Sequence, residues 1–303
     1  MEGERNAAPS TLHCCDVHFP VQHDALYYDL IEHAQPDVIV VGSDTIDFAA
    51  LSSFEPDPDL EDADELELFA YYWDLHITEL RDRCPEAVLV YILGNHERRI
   101  YAYADKQAPA VRKTLFKRFR EIVEHDGDVL WIGDVDHVRL GPLVVMHGNR
   151  HNINAAQATL NDMNGQVSVI FGHIHRLDAA IRQGEDFTVG AYASGCLQRG
   201  PHYVKHRRPR RKEQIGTAFA YVDLNGRDVQ VDNLKFEEDR GRVYVYYERR
   251  LFEARYERSY REDRSHTGSS GASGAAQHRL EPAGWFGDIA PCREGIERGC
   301  YRR

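Results

Sequence analysis

Five short motifs contain the side chains of this sequence that are best suited to chemistry. In chain order they are Asp16-Val17-His18, Asp44-Thr45-Ile46-Asp47, Gly94-Asn95-His96-Glu97, His147-Gly148 and Gly172-His173-Ile174-His175. Their carboxylate and amide oxygens and imidazole nitrogens form a mixed donor set, which suits Mn²⁺, Fe or Zn²⁺ better than Mg²⁺ or Ca²⁺. Two such ions can activate a water and clamp a phosphate. The motifs therefore favour a two-metal site for hydrolysis of phosphate esters.

Predicted strands precede the motifs and would position them. Apolar runs of four to six residues alternate with longer amphipathic stretches, which is typical of an α/β fold. Strands are predicted at 11–15, 38–41, 88–93, 143–146 and 167–171, each ending close to one motif. Loops at strand ends are held by a rigid sheet, so distant parts of the chain can converge there. Asp16 and His18 are expected to share one face of an extended segment, because their spacing is two.

The remaining predicted elements complete an α/β chain. Helices are predicted at 23–33, 59–83, 110–124 and 154–163, and further strands at 129–132, 137–140, 188–193, 217–223, 229–236 and 243–247. The second helix has a stripe of apolar residues at the spacing of a buried face. Asn154 is expected to cap the fourth helix. The strands from 188 onward are expected to be antiparallel, with a turn at Asn225-Gly226.

Taken one at a time, the motif residues have ordinary structural alternatives. His147 or His173 alone could be a hydrogen-bonded histidine near the core. Asn95 alone could be a turn residue beside a glycine, and Asp44 or Asp47 could be a capping carboxylate. The order of the motifs, their positions at strand ends and their complementary ligand types favour the metal site over these alternatives.

The five motifs in this order resemble the signature of the calcineurin-like metallophosphoesterases. The resemblance covers roughly residues 10 to 250 and is strongest to the small single-domain members of bacteria and bacteriophages. It implies an α/β fold, a four-layer αββα sandwich of two mixed β-sheets flanked by helices. The protein Ser/Thr phosphatase branch has Arg-Gly after the second motif, where this chain has Phe48-Ala49, and this difference disfavours that branch.

The resemblance also implies a set of site residues. One metal ion would be held by Asp16, His18, Asp44 and His175, and the other by Asp44, Asn95, His147 and His173. His96 would be catalytic, because it would stabilise the transition state or protonate the leaving oxygen. We expect two divalent ions, with Mn²⁺ favoured and Fe, Zn²⁺, Ni²⁺ and Mg²⁺ as alternatives.

Basic residues near the motifs suggest how a phosphate substrate could be bound. Arg98 and Arg99 follow the third motif, Arg150 and His151 follow the fourth and Arg176 follows the fifth, so that several cationic groups could face the phosphate. Guanidinium groups suit phosphate oxygens, although a solvated surface position is an equal alternative for each. The stretch Lys205 to Lys212 is strongly basic and could contact DNA or RNA, or could be a solvated loop.

Composition sets the class of protein and its expected location. The net charge of −12 disfavours general adhesion to nucleic acid. No apolar run is long enough to span a membrane, and no export signal precedes the first strand. The six cysteines show no disulfide framework, which is typical of a cytoplasmic protein with reduced thiols. We expect a flexible N-terminus at 1–10, a metallophosphoesterase domain at 11–255 and a low-complexity, disordered tail at 256–303.

Two functional hypotheses follow. The first is an enzyme that hydrolyses a phosphomonoester or phosphodiester, with a nucleotide or nucleic acid as a candidate substrate. The second is a metal-binding adaptor without catalysis that contacts nucleic acid or protein through residues 205–212. The presence of every expected ligand and of His96 favours the enzyme.

Overall fold

A computed structural model of the chain describes residues 10–19, 24–42, 44–48, 51, 65–125, 129–131, 137–198, 213–222 and 228–255. The helices are α1 (Asp24–Ala34), α2 (Glu65–Arg83), α3 (Arg98–Ala104), α4 (Pro109–His125) and α5 (Ala155–Asp162). The strands are β1 (Ser10–Cys15), β2 (Val38–Gly42), β3 (Val88–Ile92), β4 (Leu130–Trp131), β5 (His137–Leu140), β6 (Leu143–Met146), β7 (Ser168–Phe171), β8 (Leu177–Gln183), β9 (Thr188–Ser194), β10 (Gly216–Val222), β11 (Val229–Lys235), β12 (Glu237–Asp239), β13 (Arg242–Tyr247) and β14 (Arg250–Arg255).

Several sequence predictions lie outside these described residues. They are the segment 1–9, the start of the second predicted helix at 59–64, the basic stretch 205–212, the turn at Asn225-Gly226 and the tail 256–303. The proposed division into an N-terminus, a domain and a tail therefore stays a prediction.

The first of the two large sheets has six strands in the order β11-β10-β1-β2-β3-β4. Strands β1 to β4 are parallel, whereas β10 pairs antiparallel with both β1 and β11. The apolar run of β2 alternates between the two faces of this sheet, since Ile39 and Val41 belong to one buried cluster and Val40 to another. A strand that is buried on both faces needs a continuous apolar run, which explains its sequence.

The second large sheet has five strands in the order β5-β6-β7-β9-β8. The predicted hairpin of β5 and β6 is confirmed, and β6, β7 and β9 are mutually parallel neighbours. The expectation that 188–193 is antiparallel holds for its pairing with β8 but is wrong for its pairing with β7. The physical reason is that residues 172–187 contain β8, which returns the chain so that β9 runs parallel to β7.

The two sheets pack against each other with helices outside them. Val40 and Val90 of the first sheet share a buried cluster with Leu143 and Ile170 of the second. The outer face of the first sheet packs on α1, α2 and α4, and that of the second packs on α5. The predicted fold class is therefore confirmed: two mixed β-sheets flanked by helices.

Some elements are missing from the sequence prediction. They are α3, β8, β12 and β14, all of which are short or lie at an edge and lack a continuous apolar run. Strands β12, β13 and β14 form a third, antiparallel sheet that packs against the first through Tyr247 and Phe252. The ring of Tyr247 stacks on Phe219 with centroids 4.9 Å apart, and such stacking fixes the position of this small sheet.

Two helix predictions have different outcomes. The apolar stripe of α2 is confirmed, since Phe69, Trp73 and Leu80 are buried. Asn154 precedes α5 as predicted, but among the described residues its side chain makes no capping hydrogen bond. Asp178 of β8 supplies that interaction instead, because its Oδ2 accepts the backbone N–H of Ala156 at 3.2 Å. No helix of the described ranges is long and apolar enough to cross a membrane.

His76 on α2 makes the stability of the fold depend on pH. The hydroxyl of Tyr28 is hydrogen-bonded to its Nδ1 at 2.6 Å, and burial lowers the pKa of His76 to about 4. An unfolded histidine titrates near 6.5, so the unfolded state binds the extra proton as the pH falls from about 6.5 to 4. We expect His76 alone to lower the free energy of unfolding by about 2 kcal/mol when the pH falls from 7.5 to 5.

The variant His76→Gln tests this expectation. Its amide can still form a hydrogen bond with the Tyr28 hydroxyl, but it does not titrate. Urea unfolding of both proteins at pH 7.5 and pH 5 should show a smaller loss of stability in the variant. Equal losses in the two proteins would contradict the assignment to His76.

Candidate metal centre

The carboxyl ends of the central strands in both sheets bring the sequence motifs to one edge of the fold. Asp16 follows β1, Asp44 follows β2, Asn95 follows β3, His147 follows β6 and His173 follows β7. Backbone hydrogen bonds join the loops, since the N–H of His18 donates to the carbonyl of Asp44 at 3.0 Å. The N–H of Gly172 likewise donates to the carbonyl of His147 at 2.9 Å. These bonds fix the relative positions of side chains that are far apart in sequence.

The backbone at the motifs adopts the left-handed conformation. The residues with positive φ include Asp16 (53°), His18 (51°), Asp44 (51°), His173 (70°) and His175 (51°). The expectation that Asp16 and His18 lie on an extended segment is wrong, because β1 ends at Cys15 and the chain turns. Each such residue costs on the order of 1 to 2 kcal/mol, so the surrounding structure must hold it in place. Strain of this kind concentrates at functional sites.

The first group of candidate ligands consists of Asp16, His18 and His175. One donor atom from each lies within 4.8 Å of the others, so that the three could hold a metal ion. The Nε2 atom of His175 lies 3.3 Å from Oδ1 of Asp16. All three residues are buried. They come from loops of both sheets.

The second group consists of Asp44, His147 and His173, with Asn95 beside them. Its first three members also bring donor atoms within 4.8 Å of one another. The Nε2 atom of His147 lies 3.5 Å from Oδ2 of Asp44, 2.9 Å from Oδ1 of Asn95 and 3.1 Å from Nδ1 of His173. Every ligand position predicted from the sequence therefore lies in one of the two groups or directly beside them.

The buried charges of the two groups influence each other. Burial raises the pKa of Asp44 to about 7, and the nearby carboxylate of Asp16 adds to this effect. Burial also tends to raise the pKa of Asp16, but the imidazole of His175 outweighs it and holds that pKa well below the usual range. The pKa of His175 is raised to about 10, because Asp16 and Glu213 overcome the effect of burial. Two buried carboxylates that repel each other electrostatically are a setting that favours cations.

Asp47 orients His18 from outside the first group. Its Oδ1 accepts the Nδ1–H of His18 at 2.7 Å, which fixes the orientation of the ring and puts the proton of a neutral imidazole on Nδ1. Burial opposes ionisation of Asp47, but the bond to His18 is the main cause that lowers its pKa to about 2. From the sequence alone Asp47 could be a capping carboxylate, and in the structure its carboxylate binds the ring of His18.

Glu213 and His151 are neighbours of the ligands that the motifs do not include. Oε1 of Glu213 lies 3.8 Å from Nδ1 of His175. The imidazole nitrogens of His151 lie 3.0 Å from Nε2 of His173. The position of His151 four residues after His147 is a weak sequence signal, whereas Glu213 lies far from every motif.

His96 lies beside Asp44 at the junction of the two groups. Its Nε2 lies 3.8 Å from Oδ2 of Asp44, and its backbone N–H donates to Oδ1 at 3.0 Å. Its Nδ1 lies 3.0 Å from the carbonyl oxygen of Asp47, and the guanidinium of Arg99 donates to its Nε2 at 3.2 Å. Burial lowers the pKa of His96 well below the ordinary value, and the nearby charges of His18 and Arg99 act in the same direction.

The four arginines predicted to bind substrate have different surroundings. Arg98 is exposed, and Arg99 donates to the backbone carbonyl of Asp47 as well as to His96. Arg150 donates to Oδ2 of Asp162 at 2.9 Å, and Arg176 donates to the carbonyl of Asn152 at 2.6 Å. Arg99, Arg150 and Arg176 thus donate to protein groups, and the role of all four arginines toward a substrate stays a prediction.

Glu97 connects the loops of two motifs through hydrogen bonds. Its buried carboxylate accepts backbone N–H groups from Asp44 at 2.9 Å, Thr45 at 2.9 Å and Gly94 at 3.1 Å. Burial raises its pKa, and the nearby Asp44 carboxylate adds to the shift. Sequence reasoning gives no role to this residue.

Replacing Glu97 should destabilise the protein strongly. In Glu97→Ala, three buried N–H groups lose their acceptor, at about 1 to 3 kcal/mol each when uncompensated. We expect the free energy of unfolding to fall by about 3 kcal/mol or more in urea titrations. The matched control is Glu86→Ala, an exposed glutamate before β3, which should change it by less than about 0.5 kcal/mol. Similar midpoints for the two variants would contradict the role of Glu97.

Comparisons with known proteins give structural matches. No family model and no curated protein sequence matches the chain. A metallophosphoesterase from Sphaerobacter thermophilus is similar, with 16% identity, a TM-score of 0.38 and coverage of 76% of this chain and 88% of that chain. A dimetal phosphatase from Danio rerio has 13% identity, a TM-score of 0.38 and coverage of 79% and 96%. A Vps29 double mutant from Entamoeba histolytica has 10% identity, a TM-score of 0.34 and coverage of 82% and 99%. Metallophosphoesterases are thus among the solved structures that this chain resembles.

Proposed function

We propose that this protein is a hydrolase that cleaves a phosphate ester with the help of two divalent metal ions. The structural matches have TM-scores below 0.5, so the support for a function comes from the side chains of this chain. The observation that supports it best is the position of Asp44 between the two groups. Its Oδ2 lies 3.5 Å from Nε2 of His147 in the second group, and its backbone carbonyl accepts the N–H of His18 of the first group at 3.0 Å.

The donor chemistry fits such ions. In this proposal, one ion is held by Asp16, His18, Asp44 and His175, and the other by Asp44, Asn95, His147 and His173. Imidazole nitrogens mixed with carboxylate and amide oxygens suit Mn²⁺, Fe or Zn²⁺. When bound, the ions would supply Lewis acidity and an activated water for attack on phosphorus.

The side chains around the ligands have separate tasks in this proposal. Asp47 holds the ring of His18 in the orientation that presents Nε2 to the centre. Glu97 holds the loops that carry Asp44 and Asn95. His96 lies next to Asp44, where a histidine could stabilise charge on the phosphate or protonate the leaving oxygen.

Turnover of generic substrates tests the proposal. The full chain is stripped with a chelator and assayed on 4-nitrophenyl phosphate and bis(4-nitrophenyl) phosphate before and after addition of Mn²⁺. We expect at least a tenfold stimulation by Mn²⁺ on one of the two substrates, because metal activation contributes several kcal/mol. The variant His173→Ala should lose this stimulation, while His137→Ala, an exposed histidine on β5, should keep it. A rate that is independent of Mn²⁺ and unchanged in His173→Ala would contradict the proposal.

We also propose that the physiological substrate is a nucleotide or nucleic acid. The support comes from the sequence, since eight consecutive positions from Lys205 to Lys212 carry six lysines or arginines in a chain of net charge −12. Replacing 205–212 with Gly and Ser should weaken binding of single-stranded DNA and reduce its salt dependence, with metal content intact. Unchanged affinity would favour a small phosphate ester. Binding of DNA without any turnover would favour the metal-binding adaptor.

A further inference from the structure

His151 contacts the outer nitrogen of a proposed ligand. The Nδ1 atom of His173 faces the centre, 3.1 Å from Nε2 of His147. Its Nε2 faces the other way and lies 3.0 Å from the imidazole nitrogens of His151. The two rings are 4.2 Å apart between centroids and tilted by 59°. One ring nitrogen of His173 is thus available to an ion, and the other is engaged by His151.

The histidines of the first group are supported differently. The outer nitrogen of His18 donates to the carboxylate of Asp47 at 2.7 Å. That of His175 lies 3.8 Å from the carboxylate of Glu213, which is an ion-pair contact and too long for a hydrogen bond. A carboxylate on the outer nitrogen fixes the tautomer of a ligating histidine and makes it a more basic donor. An imidazole that accepts the same N–H must be neutral, so it can fix the tautomer but adds no negative charge.

We propose that His151 is a positioning residue that holds His173 for the second cation, and that this cation is the more weakly held of the two. The inference rests on the proposed function, because it assumes that both groups bind ions. We therefore expect an order of binding. The first ion occupies the first group, whose histidines contact Asp47 and Glu213. The second group, in which His151 contacts His173, binds its ion at higher metal concentration. An exchangeable second ion would make activity depend on the supply of free metal.

Metal titration of the chelator-stripped full chain tests the proposal without an activity assay. Mn²⁺ binding is followed by calorimetry and by the electron paramagnetic resonance signal of free Mn²⁺. We expect two steps in the wild type, and the loss of the weaker step alone in His173→Ala. In His151→Ala the weaker step should shift to about tenfold higher metal concentration, with the tighter step unchanged.

Substitutions that restore or strengthen the contact separate positioning from a structural effect. His151→Asn keeps an acceptor near the position of Nδ1 and should recover the wild-type affinity of the weaker step. His151→Asp adds a carboxylate and should tighten that step beyond the wild type. The matched control Asn152→Asp adds the same charge at the neighbouring exposed residue and should change it much less.

The possible outcomes distinguish this inference from the proposed function. Two bound ions with a weaker step that is the same in wild type and His151→Ala would overturn the role of His151 but leave the proposed function intact. Loss of the tighter step in His151→Ala would overturn it as well. Failure of the wild type to bind any ion would overturn both.

Discussion

Asp44→Ala should reduce kcat/KM for a phosphate ester by on the order of 10³-fold or more and should lower the bound Mn²⁺ from two ions per chain to one or none. Asp44 contacts both groups, because its Oδ2 lies 3.5 Å from Nε2 of His147 and its backbone carbonyl accepts the N–H of His18 at 3.0 Å. Its removal deprives both proposed ions of a ligand at once. The measurement combines steady-state kinetics with elemental analysis of the desalted protein.

A second substitution of Asp44 separates loss of a metal ligand from loss of a structural hydrogen bond. Asp44 Oδ1 also accepts the backbone N–H of His96 at 3.0 Å, so alanine removes a structural bond as well. Asp44→Asn retains an acceptor of the same shape and should lose activity to a similar degree with near wild-type stability. Asp74→Ala, an exposed aspartate on α2, should retain both ions and full activity. An Asp44→Asn protein with two ions and more than a tenth of the wild-type rate would contradict the account.

His96→Ala should lower kcat by about 10² to 10⁴-fold while both metal ions remain bound. His96 is adjacent to Asp44 but belongs to neither ligand group in the proposal, and its Nε2 lies 3.8 Å from Oδ2 of Asp44. A group that acts on the reacting phosphate affects kcat, whereas a ligand affects metal content. Kinetics and Mn²⁺ content measured on the same preparation make this distinction.

Two substrates with different leaving groups identify the task of His96. If it protonates the leaving oxygen, the loss in His96→Ala should be smaller for 4-nitrophenyl phosphate than for an alkyl phosphate, because nitrophenolate leaves without a proton. Equal losses would indicate stabilisation of charge on the phosphate. An unchanged kcat on both substrates would remove His96 from the catalytic residues.

Local pattern is enough to predict the parts of the fold that are fixed by burial. The apolar run of β2 predicts a strand because both faces of that strand are covered, by Ile39 and Val41 on one side and Val40 on the other. The stripe of α2 predicts a helix because one face packs in the core. Strands β8 and β14 lack this signal, since both lie at sheet edges. Strand β8 alternates between partly buried and exposed positions, and β14 buries Phe252 alone.

Only part of the candidate site can be predicted from the sequence. The motif residues can be found because each lies where a strand ends, and strand ends meet at one edge of a parallel sheet. The left-handed backbone of Asp16 and His18 cannot be derived from spacing, because distant contacts impose it. The roles of Glu97, Glu213 and His151 also depend on residues far away in the chain, such as Asp44, His175 and His173.

Anomalous diffraction from a crystal of the full chain grown with Mn²⁺ tests the central claim most directly. We expect two anomalous peaks from Mn²⁺ about 3.5 to 4 Å apart, both within coordination distance of the Asp44 carboxylate. One peak should contact Asp16, His18 and His175, and the other Asn95, His147 and His173. The absence of Mn²⁺ at Asp44 under saturating metal would contradict the account.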